Sequence, residues 1–218
     1  LHHQFTLHSV IPAPNTILKN IYKLEPGHSA TVTSDGKILK NKYYALDDIK
    51  INRNIEENEI IEESERLLIN AIEKRFYTAD VDVGVLLSGG LDSSLIVAMA
   101  AKSKLSKINT FSIGFPTIKD EVGDEFYYSD MVSKQFNTNH YKYNINQDHL
   151  MESLDDVIRE MPEPMFSQDS SAFYLLAQEV SKNQKVVLSG QGADELFGGY
   201  FWYKKMNEMK GSDSERFI

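Results

Sequence analysis

Val83-Gly84-Val85-Leu86-Leu87-Ser88-Gly89-Gly90-Leu91-Asp92-Ser93-Ser94 reads as a buried strand that ends in a glycine turn and runs directly into a helix. Val83 to Leu87 is a short apolar run, as expected for a strand covered on both faces of a parallel sheet. Gly89 and Gly90 allow a tight turn, and Asp92 or Ser93 can cap a helix whose first interior residues are Leu95, Ile96 and Val97. Free backbone N–H groups, hydroxyls and the positive end of a helix dipole then converge on one point, which suits an anion. The ATPase P-loop pattern is absent because no Lys follows the glycines, and the dinucleotide pattern G-x-G-x-x-G is absent too.

A second stretch repeats the plan: Lys185-Val186-Val187-Leu188-Ser189-Gly190-Gln191-Gly192-Ala193-Asp194-Glu195-Leu196-Phe197-Gly198-Gly199-Tyr200. It runs from an apolar strand through a Ser-Gly turn to an acidic helix start. Two strands ending in glycine loops belong at the carboxyl edge of one sheet, where open α/β folds bind ligands. The first stretch, S-G-G-L-D-S-S, resembles the pyrophosphate loop of the N-type ATP pyrophosphatases. The two together, about a hundred residues apart, resemble the synthetase domain of the glutamine-dependent asparagine synthetases, whose second motif reads like S-G-E-G-x-D-E-L-F-G-G-Y.

Around these motifs strands and helices alternate. A helix is expected from about Asn54 to Tyr77, with Ile60, Ile61, Leu67, Leu68, Ala71, Ile72 and Phe76 on one face. Its Glu-rich outer face reads as solvated. Another helix should run from Asp92 to Lys104, followed by a buried strand Asn109-Thr110-Phe111-Ser112-Ile113-Gly114-Phe115. Asp124-Glu125 open a further helix, and His140 to Ile145 alternates as a strand with Tyr141, Tyr143 and Ile145 on one face. Leu150 to Met161 marks a helix stopped by Pro162 and Pro164. A last helix near Ser170 to Lys182 precedes the second glycine loop. This order predicts an α/β fold, a doubly wound parallel sheet with helices on both faces. By resemblance it is adenine nucleotide alpha hydrolase-like.

Residues 1–46 differ in character. Ile11-Pro12-Ala13-Pro14 is too proline-rich for a helix or central strand. Ile21–Leu24, Ala30–Thr33 and Lys37–Leu39 read as short strands, with a hairpin turn at Asp35-Gly36. The resemblance makes 1–46 the end of a glutaminase domain and its junction, and 47–218 a truncated synthetase domain. That glutaminase uses a cysteine nucleophile, and these 218 residues contain no Cys, so glutamine hydrolysis is not expected of them. The family continues with a helical region that supplies a catalytic lysine. The fragment alone is therefore expected to keep the nucleotide fold and to be weak or inactive as a synthetase.

Composition narrows the rest. With 23 basic against 32 acidic residues the net charge is −9, which argues against a nucleic-acid surface. No apolar run reaches the roughly 18 residues of a membrane span, and no secretory pattern opens the chain. A cytoplasmic location is the expectation, and a homodimer of the intact enzyme is left open. The spacing of His2, His3, His8 and His28 matches no metal-ligand pattern.

The resemblance implies ATP and Mg²⁺ as cofactors, with aspartate and ammonia, the latter from glutamine, as small-molecule substrates. Leu87, Ser88, Gly89, Gly90, Ser93, Ser94, Ile113, Ser189 and Gly190 would bind the nucleotide, Leu87 and Ile113 through backbone groups at strand ends. Asp92, Asp194 and Gln191 would be the catalytic residues, Asp92 and Asp194 by holding metal or pyrophosphate. In the loop from Met161 to Asp169, Glu163, Gln168 and Asp169 either contact the amino-acid substrate or merely cap and stop helices. Gln191 departs from the family's Glu, and an amide cannot take up a proton or balance a charge as a carboxylate does. Three readings follow: aspartate adenylation and amidation, a related amide- or lactam-forming synthetase with another carboxylate, or a non-catalytic nucleotide-binding domain. A tRNA-modifying relative is disfavoured because basic patches and metal-binding cysteines are missing.

Overall fold

A computed structural model describes residues 2–7, 10–50, 52, 54–103, 107–115, 126–165 and 169–208. The chain forms two compact units, one made of Leu1–Ile60 with Leu150–Tyr174 and the other of Ile61–His149 with Leu175–Ile218.

The first unit carries helix α1 (His2–Thr6), strands β1 (His28–Val32) and β2 (Ile38–Lys42) and a 3-10 turn at Leu46–Asp48. β1 and β2 pair antiparallel, with His28 opposite Lys42 and Val32 opposite Ile38. Their turn closes through Thr33 N–H to the Lys37 carbonyl (2.9 Å) and Gly36 N–H to the Thr33 carbonyl (2.9 Å), as Asp35-Gly36 predicts. Ile21–Leu24 is not a strand. Among the described residues it pairs with no strand, and its backbone is tied locally, with Lys23 N–H donating to the Pro14 carbonyl (2.9 Å) and the Thr16 hydroxyl to the Ile21 carbonyl (2.8 Å).

The second unit holds most of helix α2 (Glu57–Thr78), then strand β3 (Val83–Leu86), helix α3 (Leu91–Lys102), strand β4 (Asn109–Gly114), helix α4 (Phe126–Phe136) and strand β5 (Asn139–Asn144). In chain order there follow helices α5 (Gln147–Glu152) and α7 (Asp169–Ser181), whose residues are divided between the units, with α6 (Leu154–Glu160) of the first unit between them, and then in the second unit strand β6 (Val186–Leu188) and helices α8 (Ala193–Phe197) and α9 (Phe201–Glu208). The single helix expected over Leu150–Met161 is divided at Ser153, whose hydroxyl donates to the Leu150 carbonyl (2.9 Å) in competition with the helical ladder. The residues Asp124, Glu125 and Gln168 lie outside the described residues.

The sheet runs β5-β4-β3-β6, all neighbours parallel. Period-two alternation sorts its side chains onto two faces. Val85, Leu87 and Leu188 pack with Ile72 of α2, Val97 and Ala100 of α3 and Val132 and Phe136 of α4. Leu86, Val187, Phe111, Ile113 and Tyr143 pack with Leu176 and Val180 of α7. Helices therefore cover both faces, and the doubly wound parallel sheet read from the sequence is the fold.

A polar strap crosses the amino-terminal edge. The Gln184 side chain donates to the Asp82 carbonyl and accepts from Asn109 Nδ2 (3.1 Å), and Asn139 Nδ2 donates to Asn109 Oδ1 (3.2 Å). Gln184 is 5% exposed, so truncating it leaves buried groups without partners. Gln184→Leu should lower unfolding stability by about 2 kcal/mol, read by urea denaturation.

Candidate functional site

The two glycine loops sit at the ends of β3 and β6, which are adjacent and parallel. In the sheet order, β3 is flanked by β4 on one side and β6 on the other: the chain leaves β3 toward β4 and β5, then returns to β6 on the opposite side of β3. This is the topological switch point, where the loops diverge and leave a crevice beyond the strand ends.

The loops also touch. A Cβ built on Gly190 would lie 3.0 Å from Asp92 Cβ and 3.0 Å from the Ser93 amide nitrogen. A side chain at this position would meet the first helix more tightly than ordinary van der Waals contact, and glycine relieves that crowding. In the first loop Gly89 has φ +90°, in the region closed to most side chains. A Cβ there would lie 2.7 Å from both the Ser129 amide nitrogen and Tyr128 Cβ of α4.

The loop hydroxyls brace the turn. Ser88 Oγ accepts from Gly90 N–H (3.2 Å) and lies 3.0 Å from Ser93 Oγ. Ser93 Oγ and Ser94 Oγ donate to the Gly90 carbonyl at 3.2 and 2.7 Å. Helix α3 begins at Leu91 with Gly90 as its N-cap, two residues before Asp92 and three before Ser93, the caps expected from sequence, and no side chain caps it. The reason is that the serines turn back onto the Gly90 carbonyl, so the first-turn N–H groups stay free of side-chain acceptors. That leaves donors and the positive dipole end available to an anion.

In the second loop Ser189 Oγ accepts from Gln191 N–H (3.2 Å), and Gly192 (φ +89°) is the N-cap of α8. Gln191 is exposed, and Asp194 and Glu195 open the helix. Tyr200 donates its hydroxyl to Glu195 Oε1 (2.7 Å), and that carboxylate pushes the phenol up to about 12, so it stays protonated.

Asp92 and Asp194 stand in the first turns of α3 and α8, both partly exposed. Among the described residues neither carboxylate is in an ion pair. Nor does any group of three or more His, Cys, Asp or Glu side chains gather there as a metal cage. Hard oxygen donors in this number fit Mg²⁺, which takes one or two carboxylates and completes its shell with phosphate oxygens and water.

Leu87 is fully buried, so only its backbone can face a ligand. Its N–H donates to the Phe111 carbonyl (2.8 Å), and its carbonyl accepts the Ser112 hydroxyl. Ile113 is paired with Tyr143 in the sheet and is partly buried against α7. Glu163, in the other unit, pairs with Lys23 (2.5 Å), and Asp169 begins α7.

One group escaped the sequence reading. His140, with a side chain 8% exposed, lies among Thr110, Ser112 and Ser129 behind the first loop. Burial pushes its pKa down; Asp130 opposes this and Lys142 adds to it. The signal was available: Thr110 and Ser112 alternate with Phe111 and Ile113 on a strand otherwise expected to be apolar on both faces.

Among the described residues no helix is long and apolar enough to cross a membrane. The Methanocaldococcus jannaschii protein provisionally named asparagine synthetase (glutamine-hydrolyzing) 2 is 36% identical over 192 residues, 87% of this chain and 36% of that protein. Asparagine synthetase (glutamine-hydrolyzing) 1 of Bacillus subtilis is 29% identical over 207 residues, 95% of this chain and 32% of that protein. The chain thus spans about a third of the length of these relatives. A solved glutamine-dependent NAD+ synthetase from Acinetobacter baumannii, in complex with adenosine diphosphate, is similar at a TM-score of 0.47 and 15% identity. That likeness covers 76% of this chain and 32% of that one, and is too distant to carry an argument. The family model for asparagine synthase matches residues 63–215, taking in both glycine loops and every strand of the parallel sheet, and the chain belongs to that family.

Proposed function

We propose that residues 47–218 are the nucleotide-binding part of an ATP-dependent amide-forming synthetase, and that 1–46 are the remnant and junction of its glutaminase domain. The observation that carries this reading is the contact of the two glycine loops at the switch point, with Gly190 against Asp92 and Ser93. A turn with free N–H groups at the start of α3, with carboxylates in the first turns of α3 and α8, suits a magnesium pyrophosphate better than a dinucleotide or a simple phosphate ester.

In this reading ATP lies across the strand ends with its pyrophosphate in the Ser88–Ser94 loop. Backbone groups of Leu87 and Ile113 face the adenine, while Ser189 and Gly190 contact the nucleotide. An oxygen of the substrate carboxylate bonds to the α-phosphorus as the bond from that phosphorus to the β-phosphate bridging oxygen breaks. The α3 N-terminus and the serine hydroxyls stabilise the charge left on pyrophosphate. Mg²⁺, held by Asp92 and Asp194, would supply further neutralisation of that charge. Ammonia then attacks the acyl carbon; the amide forms, AMP leaves, and one proton passes to solvent or a base. Aspartate is the default acceptor, and asparagine the product.

A second reading rests on Gln191. Its side chain is an uncharged amide at the mouth of the second loop, where the family carries a carboxylate. A different acceptor, as in a related amide- or lactam-forming synthetase, fits that change.

Nucleotide product analysis of the full-length protein tests both, with ATP, Mg²⁺, ammonium and a carboxylate panel. AMP and pyrophosphate that appear only with aspartate are the expected result. AMP formed with another carboxylate but not with aspartate moves the substrate and keeps the mechanism. ATP left intact with every carboxylate overturns the catalytic reading in favour of a nucleotide-binding domain without turnover.

A further inference from the structure

The face of β4 and β5 toward α4 is polar where a doubly covered parallel sheet is ordinarily apolar. Thr110 and Ser129 are 0% exposed, and Ser112 is 3% exposed. Burying hydroxyls and an imidazole is costly unless each is hydrogen-bonded, so a satisfied network in this position serves a purpose beyond packing.

His140 sits at its centre. Nδ1 is 2.9 Å from Thr110 Oγ1; Nε2 is 3.3 Å from Ser112 Oγ and 3.2 Å from Ser129 Oγ. Each serine has one hydroxyl proton, and both are committed: Ser112 donates to the Leu87 carbonyl, and Ser129 to the Phe126 carbonyl (3.2 Å). Both can only accept from the ring, so Nε2 carries a proton.

The two serines are also the two places where the first glycine loop is held from behind. Ser112 grips the carbonyl of Leu87, the residue immediately before Ser88. The Ser129 backbone presses on Gly89, whose missing side chain leaves just enough room for it. The imidazole thus spans a few ångströms between the two anchors of the loop and fixes their separation through one N–H.

We propose that His140 is a positioning residue for this loop, acting through Ser112 and Ser129 to set the spacing of the N–H groups that receive the pyrophosphate. The proposal rests on the nucleotide reading above for its ligand, but not for its effect on the loop.

Amide hydrogen exchange of the 218-residue chain tests it, with strand β4 as internal reference and Mg²⁺-pyrophosphate binding by calorimetry alongside. His140→Ala is expected to speed exchange at residues 88–94 and weaken pyrophosphate binding, each by about tenfold. His140→Gln, whose amide can place an N–H where Nε2–H stands, should recover most of both, a rescue that a packing role would not predict. Ser112→Ala removes the grip on Leu87 together with one of the two acceptors of the His140 N–H, and should reproduce the loosening if His140→Ala does not fold. Unchanged loop exchange in both alanine variants, or a His140→Gln variant as loose as His140→Ala, overturns the proposal. A loop that loosens in a chain binding no pyrophosphate supports the positioning role and overturns the nucleotide reading instead.

Discussion

Gly89→Ala is expected to weaken Mg²⁺-pyrophosphate binding by about a hundredfold and to lower stability by about 3 kcal/mol. Two physical terms add. At φ +90° an alanine sits in a backbone region that costs roughly 1–3 kcal/mol. Its methyl would also stand 2.7 Å from the Ser129 amide nitrogen. That neighbour cannot swing aside, because it is backbone, in a fully buried residue, hydrogen-bonded through its side chain to His140. The loop must therefore move instead, and an ångström of displacement at a preorganised anion site is enough for the loss of affinity. Calorimetry and urea denaturation of the variant check the two parts separately. Wild-type affinity in Gly89→Ala would mean that the loop is not the anion site.

Asp92→Asn separates chemistry from folding. The side chain is partly exposed, unpaired among the described residues and in the first turn of α3, so its removal takes away only a favourable dipole contact. Stability should change by less than about 1 kcal/mol. In the full-length protein, AMP formation should fall by about 10²–10³, the usual loss when one charge stabiliser is removed from a developing anion. Raising Mg²⁺ should recover part of it, since an amide oxygen remains a weak ligand. A variant that turns over normally would take Asp92 out of the metal-holding role and leave Asp194 alone in it.

The strands and helices that frame the loops were legible because each carries a local signal. Val83–Leu87 is apolar and short, α2 has its apolar stripe at helical spacing, and Asp35-Gly36 marks its hairpin. Failures came where local signals compete. Ile21–Leu24 is apolar enough for a strand but is tied by Thr16 and Pro14 instead. Ser153 diverts a carbonyl and divides a helix that periodicity makes continuous. At Gly90, the helix starts early because Ser93 and Ser94 turn their hydroxyls back onto its carbonyl.

By itself the sequence determined the fold class, the two glycine loops and their placement at strand ends, because hydrophobic period and turn chemistry act over a few residues. Only the tertiary structure decided that β3 and β6 are neighbours, so that residues about a hundred positions apart meet, Gly190 against Asp92 and Ser93. It also decided that His140, Ser112 and Ser129 form one network behind the first loop. The alternation of Thr110 and Ser112 marks a polar face, but neither strand order nor the choice of partners has a local signature: both arise only when the sheet is assembled and water is excluded from its faces.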